Sequence, residues 1–358
     1  MEKFGFVGLP NAGKSSLYNA LAGGGALAAP YAFATTDPNV GVAKVLDHRL
    51  DALAEMSASK KVVPAAVQFT DIGGLVEGAS QGEGLGNAFL SHIREVDAVV
   101  YVLRAFVDDD VPGPSDPLEH LRIVEIELTL ADLEGLENKL YKRRKAARAD
   151  KTLAAEVEAM EAALVHLEAG TPLYRSGLSA DHRELLVPHF LLTAKPVLAI
   201  VNVGDDQLDQ IDELIAPVVE ELGEHGEVFG ACIQLEAEAA VLEGEERTEM
   251  LEGLGLGEGA MPRFIRTAYH LMGLRTYLTT GEKESRAWTF REGSTAPVAA
   301  GRIHTDFQRG FIKADIIGWD ELCEAGSWSK ARDAGLVRSE GKEYVVVDGD
   351  TIEFKFNV

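Results

Sequence analysis

The chain has 358 residues, 46% hydrophobic and 26% charged, enough for two or three domains that each bury a core. Its 34 basic and 58 acidic residues leave a net charge of −24, which excludes a protein that coats nucleic acid through its whole surface. No apolar run reaches the roughly 18 residues of a membrane helix, so no membrane partner is expected.

The N-terminal stretch MEKFGFVG carries Glu2 and enters a strand at once, so no secretory leader is expected. Cys232 and Cys323 stand alone, and no Cys/His spacing resembles a zinc site. Together these make the reducing cytoplasm the expected location.

The first expected strand is KFGFVGL, 3–9, and it runs into GLPNAGKSS, 8–16, which fits G-x-x-x-x-G-K-[ST] ahead of an expected helix over 14–22. Such a loop binds a nucleoside triphosphate. Gly8 and Gly13 allow a tight turn, and the backbone of Pro10, Asn11, Ala12 and Ser16 completes the cradle. Lys14 supplies charge to the β and γ phosphates, and Ser15 is placed to ligate Mg²⁺. In FATTDPN, 33–39, Thr35 and its neighbour Thr36 offer hydroxyls to complete the metal shell. A second strand, AVQFTDI, 66–72, delivers Asp71 at its end, followed by Gly74 in D-x-x-G. Asp71 can hold the metal shell through water, and the Gly74 N–H can meet the γ phosphate. Lys14, Thr35, Asp71 and Gly74 are therefore the expected catalytic set. Leu75 follows, where many GTPases carry a water-positioning glutamine, so slow hydrolysis is expected without a partner. The glycine-rich stretch 78–89 suits a segment that responds to the triphosphate.

Beyond an expected helix over 86–95 comes the strand AVVYVLRAF, 98–106, then a loop, 110–117. Leu153, Val157, Met160, Leu164 and Leu167 step by 4, 3, 4 and 3, the seam spacing of a coiled coil, with Leu133, Leu136 and Leu140 on the preceding helix. The spacing predicts an antiparallel hairpin turning near 148–152. The alternative is a helical pair packed on the sheet. The run KLYKRRKAARADK, 139–151, concentrates positive charge near that turn, where it could meet RNA or simply be solvated. Strands PVLAIVNV, 196–203, and EVFGACI, 227–233, flank a helix over 208–222. The alternation of strands and helices predicts a doubly wound α/β sheet with its ligand at the carboxyl ends of the strands. After about 272, RAWTF, GFIKADII, EYVVV and TIEFKFNV read as short strands, with one helix around 319–334.

GLPNAGKSSLYNAL, FATTDPNVG, DIGGLVEGASQGEGLGNAFLSHIREVDAVVYVLRAF, RAWTF, APVAAGRIHTDFQRGFIKADII and DGDTIEFKFNV together resemble the YchF or Obg-like ATPase family of P-loop proteins, from residue 3 to Val358. The resemblance implies an α/β P-loop NTPase (G) domain, 1–115 plus 192–272. It also implies an inserted α-helical coiled-coil domain, 116–191, and a C-terminal TGS-like β-grasp domain, 275–358. It implies binding to the ribosome or a ribosomal subunit, contact with RNA through the helical and TGS domains, and slow Mg²⁺-dependent hydrolysis of ATP. The family prefers ATP and places Asn-x-x-Glu where GTPases have Asn-Lys-x-Asp. Here the residues are Asn202, Val203, Gly204 and Asp205. The missing lysine speaks against an ordinary guanine site, whereas Asp205 could accept from guanine, so GTP or dual use remains open. Cys232, Ile233 and Gln234 replace the Ser-Ala-Lys loop of guanine binders. Asn11, by the same resemblance, implies K⁺ beside the phosphates. A competing class is an RNA or ribosome adaptor gated by nucleotide, in which hydrolysis only resets the state.

Overall fold

A computed structural model describes residues 2–23, 40–71, 85–108, 111, 113–242 and 244–357. Thr35, Thr36, Gly74, Leu75 and positions 78–84 lie outside these residues. The chain divides into two compact units, one of 1–43 and 68–261, the other of 44–67 and 262–358.

The strands in chain order are β1 (Lys3–Val7), β2 (Val40–Val45), β3 (Val62–Val63), β4 (Ala65–Asp71), β5 (Ala98–Arg104), β6 (Val197–Asn202), β7 (Gly226–Ala231), β8 (Leu274–Thr279), β9 (Ser285–Arg291), β10 (Phe311–Gly318), β11 (Arg338–Glu340) and β12 (Asp350–Phe356). The first sheet has the order β2-β4-β1-β5-β6-β7. β1 pairs in parallel with β4 and β5, and the parallel pairing continues through β6 to β7. Every residue of β5 and β6 is buried, as the unbroken apolar runs of both segments require of central parallel strands. Helices Lys14–Gly23, Leu85–Arg94 and Ile211–Leu222 connect the strands, giving the expected doubly wound α/β sheet.

Between β5 and β6 the chain makes a long helix, Pro117–Ala147, a 3-10 turn at Lys151–Leu153 and a returning helix, Ala154–Glu168. Pro117 opens the first helix, and the Asp116 carboxylate accepts from Leu118 N at 2.8 Å and Glu119 N at 3.1 Å, closing its N-terminus. Leu121, Val124, Leu128 and Ala131 of its first half join the core cluster of the sheet. Further out, Leu136 and Leu140 pack with Met160 and Leu167, and Val157 and Leu164 lie against the same cluster. Ala159 and Ala163, absent from the expected seam, are fully buried there. The coiled hairpin thus describes the outer half of the arm, whereas on the inner half the first helix alone, not a pair, joins the core of the sheet.

The second sheet has the order β11-β10-β12-β8-β9-β3. The β8/β9 hairpin is antiparallel, β12 lies parallel to β8, and β10 is antiparallel to β12, the strand arrangement of a β-grasp module. Two expectations fail here. The single helix over 319–334 is two, Trp319–Ala325 and Trp328–Asp333, because Gly326 turns left-handed at φ 74° and the Ser327 hydroxyl caps a new start by accepting from Lys330 N. EYVVV is not a strand. Tyr344 O–H and Val347 N–H both donate to the Asp350 carboxylate at 2.9 Å, which folds the segment into turns and leaves one bridge, from Val345 to Thr295.

Candidate nucleotide-binding site

The loop after β1 is shaped by contacts that only glycine permits at two places. A Cβ on Gly8 would stand 2.3 Å from the Val102 carbonyl oxygen of the neighbouring strand. Gly13 has φ +104°, and its Cβ would meet Asn202 Nδ2 at 2.3 Å. Asn11 also takes a left-handed backbone, φ 62°, a conformation that asparagine tolerates better than most residues. The turn delivers Lys14 to the start of its helix with 6% of its surface exposed. Lys14 Nζ donates to the carbonyls of Leu9 at 2.7 Å and Gly8 at 3.1 Å, so the ammonium is held against the loop itself. The helix Lys14–Gly23 has no acidic residue in its first turn, so its N-terminal N–H groups face no competing carboxylate of their own helix.

Asn202, at the end of β6, joins three segments. Its Nδ2 donates to the Ala12 carbonyl at 3.1 Å, and its Oδ1 accepts from Ile233 N at 3.1 Å. Its own carbonyl accepts from Ala105 N and Phe106 N. Ala12 and Ile233 are buried by this arrangement and hold the wall rather than line it. The chain then turns at Gly204, whose N–H donates to Gln207 Oε1 at 2.8 Å, while Gln207 Nε2 reaches the Ala105 carbonyl at 3.4 Å.

These segments enclose a cavity of about 670 Å³, within the size range of small-molecule sites. Of the expected residues, Pro10, Asn11, Gly13, Lys14, Ser15 and Ser16 line it from one side, and Asn202, Val203, Asp205, Cys232 and Gln234 from the other. Gly8 lies beneath the loop, where its carbonyl receives Lys14. Asp71 ends β4 in register with Phe6; its side chain, like Thr35 and Gly74, lies outside the description. Asp205 and Asp206 are both exposed at the rim, so the base segment offers two carboxylates. Burial, with the Asp205 carboxylate adding to it, pushes the Cys232 thiol up, so Cys232 adds no charge to this wall.

One wall is absent from the sequence reading. Phe106, Val107, Asp108 and Val111 also line the cavity. Arg104, 2% exposed, fastens this wall by donating to the Phe106 carbonyl at 3.0 Å and the Val111 carbonyl at 3.1 Å. Its guanidinium also lies 4.6 Å from the Phe106 ring centre, a cation–π contact. The available signal was the arginine-aromatic pair at the end of the buried run. An expected strand that runs to 106 hides this pair, whereas β5 stops at Arg104.

A glycine-framed loop on a helix N-terminus, a buried lysine and a second loop braced by a buried asparagine define a P-loop nucleotide-binding domain of the GTPase type. A family model described as "50S ribosome-binding GTPase" matches residues 3–124, and one described as "YchF-GTPase_C", a protein of unknown function, matches residues 274–357. The chain is 46% identical to the "Ribosome-binding ATPase YchF" of Bacillus subtilis (strain 168) over 361 residues, covering 99% of each. It is 43% identical to the protein of the same name from Haemophilus influenzae over 366 residues, again covering 99% of each. The solved structure of the Schizosaccharomyces pombe YchF GTPase is similar to it with a TM-score of 0.87 and 35% identity, over 99% of this chain and 97% of that one. The chain belongs to the YchF family.

Proposed function

We propose that the protein is a cytoplasmic, ribosome-associated switch that binds ATP at the cavity and hydrolyses it slowly to ADP and phosphate. The observation that carries the reading is the union in one cavity of the Lys14 cradle and a base segment with Val203 where a guanine site has lysine. The names of the relatives point the same way for the ribosome, and they divide between ATPase and GTPase for the nucleotide.

In this reading Lys14 and the loop N–H groups hold the β and γ phosphates, and Phe106 offers apolar surface to the base. Ser15 presents a hydroxyl beside the phosphate cradle, a hard oxygen donor that suits Mg²⁺, and Thr35 would complete the set with Asp71 through water. Bound there, Mg²⁺ supplies charge neutralisation at the β and γ oxygens. Asn11 would contribute to a K⁺ site beside the phosphates. Water attacks the γ phosphorus in line. Leu75 brings no polar group to orient that water, which makes the intrinsic rate slow and reserves acceleration for a partner. Gly74 and Thr35 sense the γ phosphate. Functionally, 1–115 with 192–272 carry the nucleotide, and 116–191 and 275–358 serve as the arms that meet the ribosome or its RNA.

Calorimetric titration of nucleotide-free protein with AMPPNP and GMPPNP, in Mg²⁺ and K⁺, tests the base preference. A preference for the adenine analogue of about tenfold, or ~1.4 kcal/mol, is expected. Equal affinity, or preference for the guanine analogue, would show that Asp205 recognises guanine and would overturn the ATP assignment. Turnover that stays negligible with ribosomes and K⁺ would favour the adaptor reading.

A further inference from the structure

The nucleotide cavity lies at the carboxyl ends of β5 and β6. At their amino ends lies a second pocket, of about 640 Å³, which also suits a small molecule. Val96 and Asp97, just ahead of β5, and Pro196, just ahead of β6, line one side of it. The chain returning from the hairpin lines the rest, chiefly with Leu173, Leu178, Leu186, Val187, Phe190 and Leu191. Val187 and Phe190 are 69% and 61% exposed, large apolar groups left in water at the pocket. Phe190 holds its place with a left-handed backbone, φ 53°, which a bulky residue adopts only at a cost.

The polar part of this pocket is built from cations that lack carboxylate partners. Arg94 donates through Nη1 to the Phe190 carbonyl at 3.1 Å, and its Nε and Nη2 have no partner among the described residues. Lys195 Nζ donates to the Arg94 carbonyl at 3.2 Å and to the Val96 carbonyl, which leaves one N–H to spare. Lys139 donates to the His189 carbonyl at 2.6 Å. Burial lowers the pKa of Lys139 and of Lys195, and the Arg94 charge adds to both. Asp132, and at Lys195 also Asp97, only partly offset this. Asp132 already accepts from Leu192 N at 2.9 Å and from Thr193 N and the Thr193 hydroxyl at 2.8 Å. Glu95, Asp97 and Glu184 share the pocket lining but are exposed, whereas Arg94 and Lys195 are half-buried. The positive charge therefore lies deeper than the negative. Arg183 takes no part, since its guanidinium is engaged with the carbonyls of Leu173, Ser176 and Leu178.

We infer that this pocket binds a medium-chain acyl carboxylate, with its chain along the leucines and its carboxylate on Arg94 and Lys195. The carboxylate takes up the spare donors and relieves the repulsion between Arg94 and the two lysines. The chain covers the aliphatic wall and the exposed Val187 and Phe190. An inorganic anion would leave that wall wet, and an uncharged chain would leave the cations unmatched. The inference is independent of the nucleotide and ribosome assignments, because the pocket shares no residue with the nucleotide cavity.

The test is calorimetric titration of the full chain with decanoate, kept below micelle formation, with AMPPNP present to fill the nucleotide cavity. Decanoate should bind with a single site per chain. Decylammonium and inorganic phosphate should each bind about tenfold more weakly or not at all. R94Q and K195Q should each weaken decanoate binding about tenfold. V187E, a change at an exposed position, should repel the carboxylate and also weaken binding about tenfold, whereas V187K should bind at least as well as the wild type. All four variants should keep the wild-type AMPPNP affinity. If R94Q or K195Q fails to fold, the V187E and V187K pair decides alone. Absence of decanoate binding by the wild type would overturn the inference. So would decylammonium binding as tightly as decanoate, which would show an apolar groove indifferent to charge. Equal decanoate affinity in V187E, V187K and the wild type would place the binding elsewhere and overturn it too.

Discussion

Phe106 turns out of β5 into the cavity because Arg104, the last residue of the strand, is buried and bonds to the carbonyls of Phe106 and Val111. The guanidinium lies 4.6 Å from the ring centre, and the residue lines the cavity. Phe106→Ala should therefore weaken AMPPNP binding by about 1–3 kcal/mol, the usual worth of an aromatic stack on a base. Inorganic tripolyphosphate, which has no base, should bind variant and wild type alike. Calorimetry with both ligands checks this; equal losses for the two would show that Phe106 acts by shaping the phosphate loop. The phosphate half of the site was legible in advance because G-x-x-x-x-G-K-S encodes backbone geometry directly: Gly8 and Gly13 stand where any Cβ would collide. The base half was only partly legible. Asn202 was found by its place after a strand, but its amide bonds to Ala12 and Ile233 join residues 190 and 31 positions apart, which no local pattern can announce.

At the scale of elements, long apolar runs were read well, and local turn chemistry decided the rest. β5 and β6 are continuous buried runs bounded by charge or loop, and each lies within about two residues of its expected span. EYVVV has strand composition, but Asp350 captures its polar groups, and Gly326 divides a helix that periodicity alone would continue. The short pieces β2, β3 and helix His48–Met56 drew no expectation. β2 alternates intermediate and buried residues over only six positions. The hairpin carries a pH dependence. His189, buried among the arm's elements, donates through Nε2 to Glu156 at 2.9 Å. Burial lowers its pKa; Lys139 and Arg143 add to this, and the Glu156 hydrogen bond and charge only partly offset it. Glu156 is held below the usual carboxylate range, chiefly by the Arg143 hydrogen bond. A base with a lowered folded pKa binds its proton more readily unfolded, so stability falls as pH drops below about 6.5 toward the folded value. A carboxylate with a lowered pKa adds a second loss below about 4.3, as the unfolded and then the folded form is protonated. Thermal unfolding between pH 8 and about pH 2.5 should show both steps, and H189Q should remove the first. Parallel profiles of H189Q and wild type above pH 5 would rule the assignment out.

Across the nucleotide-binding unit, two neighbouring segments of the cavity lining lead into helices that a charged cluster ties together. Phe106–Val111 leads through Asp116 into the helix Pro117–Ala147, and Val203–Gln210 leads into Ile211–Leu222. Arg175, from the segment returning from the hairpin, bonds to Glu125 of the first helix, and its Nη1 meets Glu221 of the second at 2.8 Å. Arg122 adds a bond to Glu221 at 2.9 Å, and the Tyr174 hydroxyl donates to Glu125. Glu125 is 4% exposed. Burial raises its pKa, and Tyr174 and Arg175 oppose that rise. Removing Arg175 alone would leave a buried carboxylate without its cation, a change that costs about 3–5 kcal/mol. Removing both charges should cost far less. Arg175→Met should therefore lower the denaturant midpoint sharply, and the added Glu125→Leu should restore more than half of the loss. If the double variant is no more stable than Arg175→Met, the arginine acts mainly through Glu221 and the main-chain carbonyl it also contacts, and Glu125 is not the group it neutralises. Should the double variant recover stability but lose the acceleration of hydrolysis by ribosomes at unchanged AMPPNP affinity, the clamp would be the mechanical link between the cavity and the arm. The hairpin and the base segment could then report on each other only while Arg175 holds their helices together.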